Sequence, residues 1–285
     1  MSSRSWKKLD WSRRSTRATS LLIAFAIASI IWTGCRTTPV TNRRQVLNPL
    51  IPESREVEMG VAAYNDLLKE ETMSPNQRYR EMVERVGRRI AAVAEKPDYQ
   101  WEFRVIQSAQ QNAFALPGGK VAIHEGILPI CLNEAGLAVV MSHEIAHATA
   151  RHGGERMAHN SISNGVKTAI GMVTQNQSEK TREIVQTVYG VGSKYGAILP
   201  FSRKHESEAD HIGLIYMAKA GYDPSEAPLF WERFGQATQG APAEFLSTHP
   251  SHGRRSEELR QLLPEAMQLY QAAPQKYGKG EMLIQ

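Results

Sequence analysis

The segment whose residues are best suited to catalysis is His143-Glu144-Ile145-Ala146-His147, in which three residues separate two histidines. On an α-helix, residues four apart lie on one face, about 6 Å apart along the axis, so both imidazoles can reach one metal ion. Glu144 is displaced by about 100° from His143. It therefore reaches a water on the metal rather than the metal itself, which is the position of a general base. The motif predicts a catalytic zinc site.

A zinc ion that keeps an open coordination position needs a third protein ligand besides the two imidazoles. The segment Phe201–Asp210 offers candidates, because Glu206 can bind the ion and Asp210 lies one turn further on the same helix face. Asp210 can accept the N–H of a ligating imidazole and so fix its tautomer. His205 and His211 are rival ligands by spacing, although they point to other sides of the helix. Taken alone, these acids also fit the solvated first turns of a helix.

With these motifs in place, the chain resembles the zinc metallopeptidases of family forty-eight, and most of all their Oma-like and periplasmic lipoprotein branches. Four segments in order carry the resemblance: Asn112–Gly119, the H-E-x-x-H at 143–147, the E-x-x-A-D at 206–210, and Thr248-His249-Pro250 followed by Arg255. The resemblance implies one Zn²⁺ per chain. It makes Glu144 the general base and implies that the ligands of the ion are His143, His147 and Glu206.

The resemblance also implies roles outside the zinc motif. In such peptidases a substrate pairs as an added strand with the edge of the active-site sheet. The residues that match this edge are Asn112, Ala113, Phe114 and Ala115. His249 is implied to reach the active site, either to help hold the transition state or to block the ion in the idle enzyme. Asp210 and Arg255 are expected to support the ligands from behind. No metal role is expected for three other histidines, which are assigned to structural or surface positions: His124, His152 and His159.

The elements that must position these residues are mostly helices, as the spacing of apolar residues indicates. One helix is predicted from Glu53, and a second from Ser74 as N-cap to a point before Pro97. Alternation around Phe103 predicts a strand, and two more short strands flank the turn at Pro117-Gly118-Gly119. Later helices are predicted over residues 134–151, 160–174, 183–196, 204–220, 225–237 and 254–272, with a loop over residues 240–253.

These elements predict a single α+β domain that is mostly helical, with a small sheet between about residues 100 and 124 beside the H-E-x-x-H helix. The resemblance implies a predominantly helical zincin fold of the gluzincin type. Residues 1–34 are expected to be a signal peptide and residues 35–52 a tether, because the latter stretch contains three prolines and no apolar periodicity. Residues 53–285 are expected to form the metallopeptidase domain.

Charge and composition narrow the class of partners. The 285-residue chain has a formal net charge of +5, and this excess lies in residues 1–34, which contain six basic residues and one acidic residue. The rest of the chain is balanced, with 28 basic and 28 acidic residues. A basic surface for nucleic acid therefore has no support, and we expect protein or peptide substrates instead. The sequence carries no signal for a particular oligomeric state.

The leader resembles an export signal, because a basic start precedes the apolar stretch Leu21–Trp32. Thr33-Gly34-Cys35 resembles a bacterial lipobox, which predicts a lipid on Cys35 that attaches the chain to a membrane. Arg36 after this cysteine favours the outer membrane, with the body facing the periplasm. The alternative is an uncleaved anchor in the inner membrane, although the apolar stretch is short of the ~20 residues that span a bilayer.

These observations predict a zinc-dependent metalloendopeptidase that hydrolyses misfolded or membrane-associated envelope proteins, with Glu144 as general base. The alternative is a zinc-containing chaperone or assembly factor of the envelope with little proteolysis. A third hypothesis is an exopeptidase that trims chain ends. Glu144 and an open coordination position favour an enzyme over the chaperone, because a structural zinc site would close with a fourth Cys or His.

Overall fold

The computed structural model describes residues 35–159, 199–237 and 254–283. Residues 152–159 are helical. The named elements of the described part are, in chain order, β1 (Cys35–Thr37), β2 (Arg44–Val46), α1 (Glu53–Glu70), α2 (Gln77–Ala91), β3 (Glu102–Ile106), β4 (Ala113–Leu116), β5 (Lys120–His124), α3 (Leu128–Cys131), α4 (Glu134–Thr149), α5 (Leu199–Lys219), α6 (Glu226–Ala237) and α7 (Arg255–Ala272). The described part therefore agrees with a mostly helical α+β domain, and no helix within it has the length and apolarity to cross a bilayer.

Three strands form the small sheet, in the order β3-β5-β4. Strand β5 pairs in parallel with β3 and antiparallel with β4, where Phe114 lies opposite Ala122. The β4–β5 turn depends on Gly118 and Gly119, whose φ angles of +90° and +84° are readily adopted only by glycine. The strands occur where the alternation of apolar residues predicts them, and β4 is an outer strand of this sheet.

Helix α4 is the central helix of the domain, and every residue on it except His147 is buried. It packs against α2, α5, α6 and the sheet. Helix α5 comes close to α4 at Gly213, where an added Cβ would lie 2.9 Å from the backbone nitrogen of His143. Because Glu206, Asp210 and Gly213 follow a spacing of four and three residues, all three lie on the face of α5 that is turned toward α4. This close approach positions the site.

Helix α2 begins slightly later than the sequence predicts. Its N-cap is Asn76, whose side chain accepts a hydrogen bond from the backbone nitrogen of Tyr79. The predicted cap, Ser74, bonds elsewhere: its hydroxyl contacts the Glu125 carboxylate, and its backbone N–H donates to the carbonyl of Val105 at 2.8 Å. The hydrogen bonds of Ser74 are thus used elsewhere, and Asn76 caps the helix instead. The helices predicted over 160–174 and 183–196, the loop over 240–253 and the leader lie outside the described residues.

The stretch that the sequence predicts as a tether contains a small hairpin. Strands β1 and β2 pair antiparallel, with Arg36 opposite Gln45. Thr38, Gln45 and Leu47 are buried, so the hairpin packs on the rest of the domain. Each strand has only three residues, too few for a periodic pattern to be visible in the sequence.

Candidate metal centre

Helices α4 and α5 bring three metal-binding side chains together. His143, His147 and Glu206 each contribute one donor atom to a group whose members all lie within 4.8 Å of one another. The Nε2 atoms of the two imidazoles are 3.1 Å apart, and each is 3.4 Å from a carboxylate oxygen of Glu206. The helical spacing of α4 brings the two histidines together, and the close approach of α5 adds Glu206.

The chemistry of these donors fits a divalent metal. Two imidazole nitrogens and one carboxylate are a known ligand set of catalytic zinc sites, which leave the fourth tetrahedral position for water or substrate. His143 and Glu206 are each only 1% exposed, so the donors are held within the protein rather than solvated. Two imidazole nitrogens and a carboxylate that converge within 4.8 Å of one another form a place where a bound divalent cation would be stabilised. We conclude that this group is able to hold a metal ion.

His143 is supported from behind by an acid and an arginine. Its Nδ1 lies 3.0 Å from Oδ1 of Asp210, and Arg255 donates to both Asp210 oxygens at 2.6 and 2.7 Å. The Arg255 guanidinium also lies 3.4 Å from the centre of the Trp231 ring. Burial by itself lowers the pKa of His143, but the carboxylates of Asp210 and Glu206 more than offset this effect and raise the pKa to about 9. The surroundings of His143 therefore favour positive charge, as a bound metal would supply.

His147 is supported by a second histidine that the sequence analysis assigned no metal role. Its Nδ1 lies 2.9 Å from Nδ1 of His152, whose Nε2 lies 3.0 Å from Oε2 of Glu208. Burial lowers the pKa of His152 to about 4, so this imidazole is neutral at physiological pH. The sequence offered no signal for the contact, because α4 ends at Thr149 and Arg151 adopts a φ of 55°, which breaks the helical spacing.

The two rival histidines lie away from the metal group. Nε2 of His205 is 3.0 Å from a carboxylate oxygen of Glu155, and Nε2 of His211 is 3.5 Å from one of Glu265. His205 is adjacent to Glu206 in the sequence, and His211 is adjacent to Asp210. The helical rotation of about 100° per residue therefore turns each histidine to another side of α5. Of the acids and histidines on α5, it is Glu206 that completes the group.

A cleft of about 220 Å³ opens beside the metal group. Glu144 and His147 line it from α4, while Phe114 and Ala115 line it from β4. Glu144 is 2% exposed, so its side chain is largely shielded from bulk solvent. Two of the four predicted substrate-binding residues are thus at the cleft. The other two are not among its lining residues: the Ala113 side chain is buried, and Asn112 uses its side-chain oxygen to accept from the Ala113 backbone nitrogen at 3.0 Å.

Two further predicted residues are not placed at the centre. His249, with Thr248 and Pro250, lies outside the described residues, so its role stays a prediction. Cys35 is the first residue of β1. Arg255, by contrast, begins α7 and reaches the metal group, where its Nη1 lies 3.5 Å from Glu206.

Comparison with known proteins identifies several related metallopeptidases. Over 240 residues the chain is 37% identical to the mitochondrial metalloendopeptidase OMA1 of Schizosaccharomyces pombe, covering 82% of this chain and 68% of that protein. It is 31% identical to the protein of the same name from Saccharomyces cerevisiae, covering 90% and 77% of the two chains. It is also 30% identical to the beta-barrel assembly-enhancing protease of Escherichia coli, covering 61% of this chain and 37% of that protein.

These relatives contradict the localisation predicted from the leader. Relatives that match most of this chain bear names that place them in mitochondria, whereas the leader and Cys35 predicted the bacterial cell envelope, facing the periplasm. The prediction failed because a basic, acid-poor start followed by an apolar stretch does not by itself distinguish a bacterial export signal from other targeting segments.

The relatives agree with the resemblance that the motifs carry, including its Oma-like branch. The family model for peptidase family M48 matches residues 77–263, which include α4, α5 and all three metal-binding side chains. This chain therefore belongs to peptidase family M48 and is a metalloendopeptidase.

Proposed function

We propose that the chain hydrolyses internal peptide bonds of protein substrates with one Zn²⁺ held by His143, His147 and Glu206, and with Glu144 as general base. The observation that carries this proposal is the group of three donors from α4 and α5, two of them buried, which lies beside the cleft that Glu144 lines. Glu144 and the two histidines belong to the same two turns of one helix, so the base and the ligands keep a fixed relation.

The residues of the chain divide the chemistry among them. When bound, zinc lowers the pKa of a coordinated water to about 7 and polarises the peptide carbonyl. Glu144 accepts a proton from the attacking water and then delivers it to the leaving amine. Its burial shields this carboxylate from bulk solvent, which favours proton exchange with the reactants. His249 remains a predicted contributor, either as a donor to the developing oxyanion or as a residue that blocks the idle site.

The chaperone alternative receives less support than proteolysis. Family membership favours a peptidase, and the metal group of the described residues has three protein donors rather than the four of a closed structural zinc site. Analysis of the products from a defined peptide separates an endopeptidase from an exopeptidase. An endopeptidase cuts the peptide into internal fragments, whereas an exopeptidase releases residues stepwise from one end.

The position of β4 suggests how a substrate is presented. Leu116 and Asn112 direct their carbonyls to the β5 side, where these accept from Gly119 and His124 respectively. Because alternate residues of a strand face opposite edges, the backbone groups of Ala113 and Ala115 face away from β5. Ala115 also lines the cleft. We infer that an extended substrate segment pairs with this outer edge of β4, so the substrates are unfolded or misfolded stretches of proteins rather than folded ones.

Backbone-methylated peptides test this mode of presentation. We expect N-methylation of a substrate amide to reduce kcat/KM by about 3- to 10-fold at every second position, since each affected amide would lose one hydrogen bond of ~0.5–1.5 kcal/mol. Methylation at the intervening positions should have little effect. The measurement is cleavage of a single-methyl series, with the unmodified peptide as control and with methyl groups kept at least two residues from the scissile bond. Equal tolerance at all positions would rule out strand pairing.

Replacement of the proposed base tests the catalytic assignment. We expect Glu144→Gln to retain one bound Zn²⁺ per chain but to lose casein cleavage by a factor of at least about 100, because a neutral amide cannot take the proton from water. Metal content and proteolysis are measured on the same sample, with and without a chelator. Glu70→Gln, on the exposed end of α1, is the matched control and should cleave like the wild type. Full activity of Glu144→Gln, or proteolysis that survives chelation, contradicts the proposal.

A further inference from the structure

The loop of the β1–β2 hairpin has a fixed and strained shape. The backbone N–H of Thr38 donates to the carbonyl of Arg43 at 2.9 Å, and the backbone N–H of Arg43 donates to Oγ1 of Thr38 at 3.1 Å. Val40 and Asn42 have φ angles of 60° and 51°, a region that a β-branched valine seldom adopts. Such a conformation persists only where surrounding contacts enforce it. The loop is therefore shaped to hold particular side chains in place.

Those side chains converge on Glu208 of α5. Oγ1 of Thr38 donates to its carboxylate at 2.7 Å, Thr41 donates to the same oxygen, and Nε of Arg43 donates to the other oxygen at 2.6 Å. The remaining nitrogens of Arg43 donate to both oxygens of Glu155 at 2.6 and 2.9 Å. Glu155 and Glu208 are 2% and 6% exposed, so both depend on pairing with a cation inside the protein.

Glu208 is also the last member of a chain of hydrogen bonds that begins at a metal-binding residue. An ionised carboxylate only accepts, so Nε2 of His152 donates to Glu208 across 3.0 Å. The other ring nitrogen of His152 then accepts, and the Nδ1–H of His147 donates to it across 2.9 Å. This arrangement leaves Nε2 of His147 without a proton, and Nε2 is the atom that faces Glu206.

We propose that Arg43 is a positioning residue for the metal centre, although it does not reach the metal-binding atoms. It fixes Glu208, and Glu208 in turn fixes the tautomer and direction of His152. Through this contact the seated hairpin holds His147 with its Nε2 lone pair directed at the ion. The affinity of the centre for metal therefore depends on a segment of the chain that lies outside the residues matched by the family model. This inference rests on the assignment of His147 as a ligand.

The test is the affinity of full-length Arg43→Met for Zn²⁺, measured by competition with a chromogenic chelator. We expect a dissociation constant about 10-fold larger than that of the wild type, the lower end of the usual effect of removing support behind a metal ligand, because Arg43 acts on His147 through two other residues. The visible absorption bands of the Co²⁺-substituted protein should change in intensity, since they report the ligand geometry directly. Arg44→Met is the matched control, because Arg44 is the next residue in the chain and is exposed at the start of β2, and it should bind like the wild type.

Thermal unfolding of the metal-free proteins separates positioning from simple stabilisation. Metal-free Arg43→Met could unfold at a lower temperature than the wild type and yet keep the wild-type Zn²⁺ dissociation constant and Co²⁺ spectrum. This result would overturn the proposal. If Arg43→Met does not fold, Thr38→Val removes one donor to Glu208 and leaves the ion pairs intact. That variant should weaken Zn²⁺ binding by a few-fold, and unchanged binding would again overturn the proposal.

A double-mutant comparison tests whether the effect passes through His152. In a His152→Gln background, Arg43→Met should weaken Zn²⁺ binding by much less than it does in the wild type, because the connection is already broken. Fully additive losses would overturn the proposed route. Failure of the wild type itself to bind Zn²⁺ would overturn both this inference and the proposed function. If the wild type binds Zn²⁺ and Arg43→Met binds it with the same affinity, this inference alone would be overturned.

Discussion

At the scale of single residues, the two histidines of the metal centre are held by different chemistry. His143 contacts Asp210, an acid that is itself paired with Arg255. On its Nδ1 side, His147 contacts a neutral imidazole, that of His152, which in turn contacts the carboxylate of Glu208. A direct carboxylate partner makes an imidazole a more basic metal ligand than a neutral partner does. We therefore expect the support behind His143 to contribute more to metal affinity than the support behind His147.

Asp210→Asn tests the contact behind His143. We expect the Zn²⁺ dissociation constant to rise by about 10- to 100-fold, because the amide can no longer accept as a carboxylate does and Arg255 loses its charged partner. Competition with a chelator measures the change. Asp98→Asn is the control, since Asp98 is exposed, and its affinity should match the wild type. An unchanged affinity in Asp210→Asn would mean that this acid supports the fold but not the metal.

At the scale of secondary-structure elements, the cleft lies between α4 and β4, so the β4–β5 turn helps to set its width. Gly119 in this turn has a φ of +84°, and an added Cβ would lie 3.0 Å from the ring of Trp101. The neighbouring Gly60 of α1 allows this helix to approach the turn, since an added Cβ there would lie 2.4 Å from the Pro117 carbonyl oxygen. Helix, turn and strand are thus packed too closely for side chains at these glycines.

Gly119→Ala tests the turn. We expect a loss of about 1–3 kcal/mol in the free energy of unfolding, because alanine is disfavoured at this φ and also contacts Trp101. Urea unfolding measures the loss. Gly235→Ala, in α6, should change stability in the opposite direction, because alanine favours helix and no described residue outside the adjoining stretch of α6 lies within 4 Å of the added Cβ. Equal effects of the two substitutions would contradict the account of the turn.

At the scale of the whole molecule, buried charge connects segments that are far apart in the chain. Arg43 bonds Glu155 and Glu208, which are 112 and 165 residues away. Burial alone raises the pKa of Glu155, but hydrogen bonds from Arg43 and His205 reverse the effect and lower the pKa to about 2, from 4.5. A carboxylate whose pKa is lowered by folding stabilises the folded state only while it is ionised.

The stability of the metal-free protein should therefore fall in acid, partly because of Glu155. Its contribution is complete above pH 4.5 and is lost as the pH falls toward 2, at a rate of at most about 1.4 kcal/mol per pH unit. The measurement is urea unfolding of the wild type and Glu155→Gln between pH 7 and 3, in the presence of a chelator. The difference between the two proteins should be constant above pH 5 and should shrink below pH 4.5. A difference that does not change with pH contradicts the assignment.

The sequence by itself determined the parts of the centre that depend on local geometry. The spacing of His143 and His147 acts through the 3.6-residue helical turn, and the same rule places Glu206 and Asp210 on one face of α5. The strands around the Gly118-Gly119 turn followed from alternation and from the positive φ of glycine. Family membership followed from these motifs, whereas localisation did not, because targeting composition is less specific than a ligand set.

Only the tertiary structure decided which side chains support the ligands. His152 follows a break in helix α4, and Arg43 lies in the hairpin loop just before β2, so neither belongs to a periodic pattern that reaches the metal. Their contacts exist because the hairpin, α5 and the 152–159 helical segment pack together around buried carboxylates. Such contacts join residues that are distant in the chain, and no local rule of spacing relates them. A buried charge requires some partner, but the fold alone determines which residue that partner is.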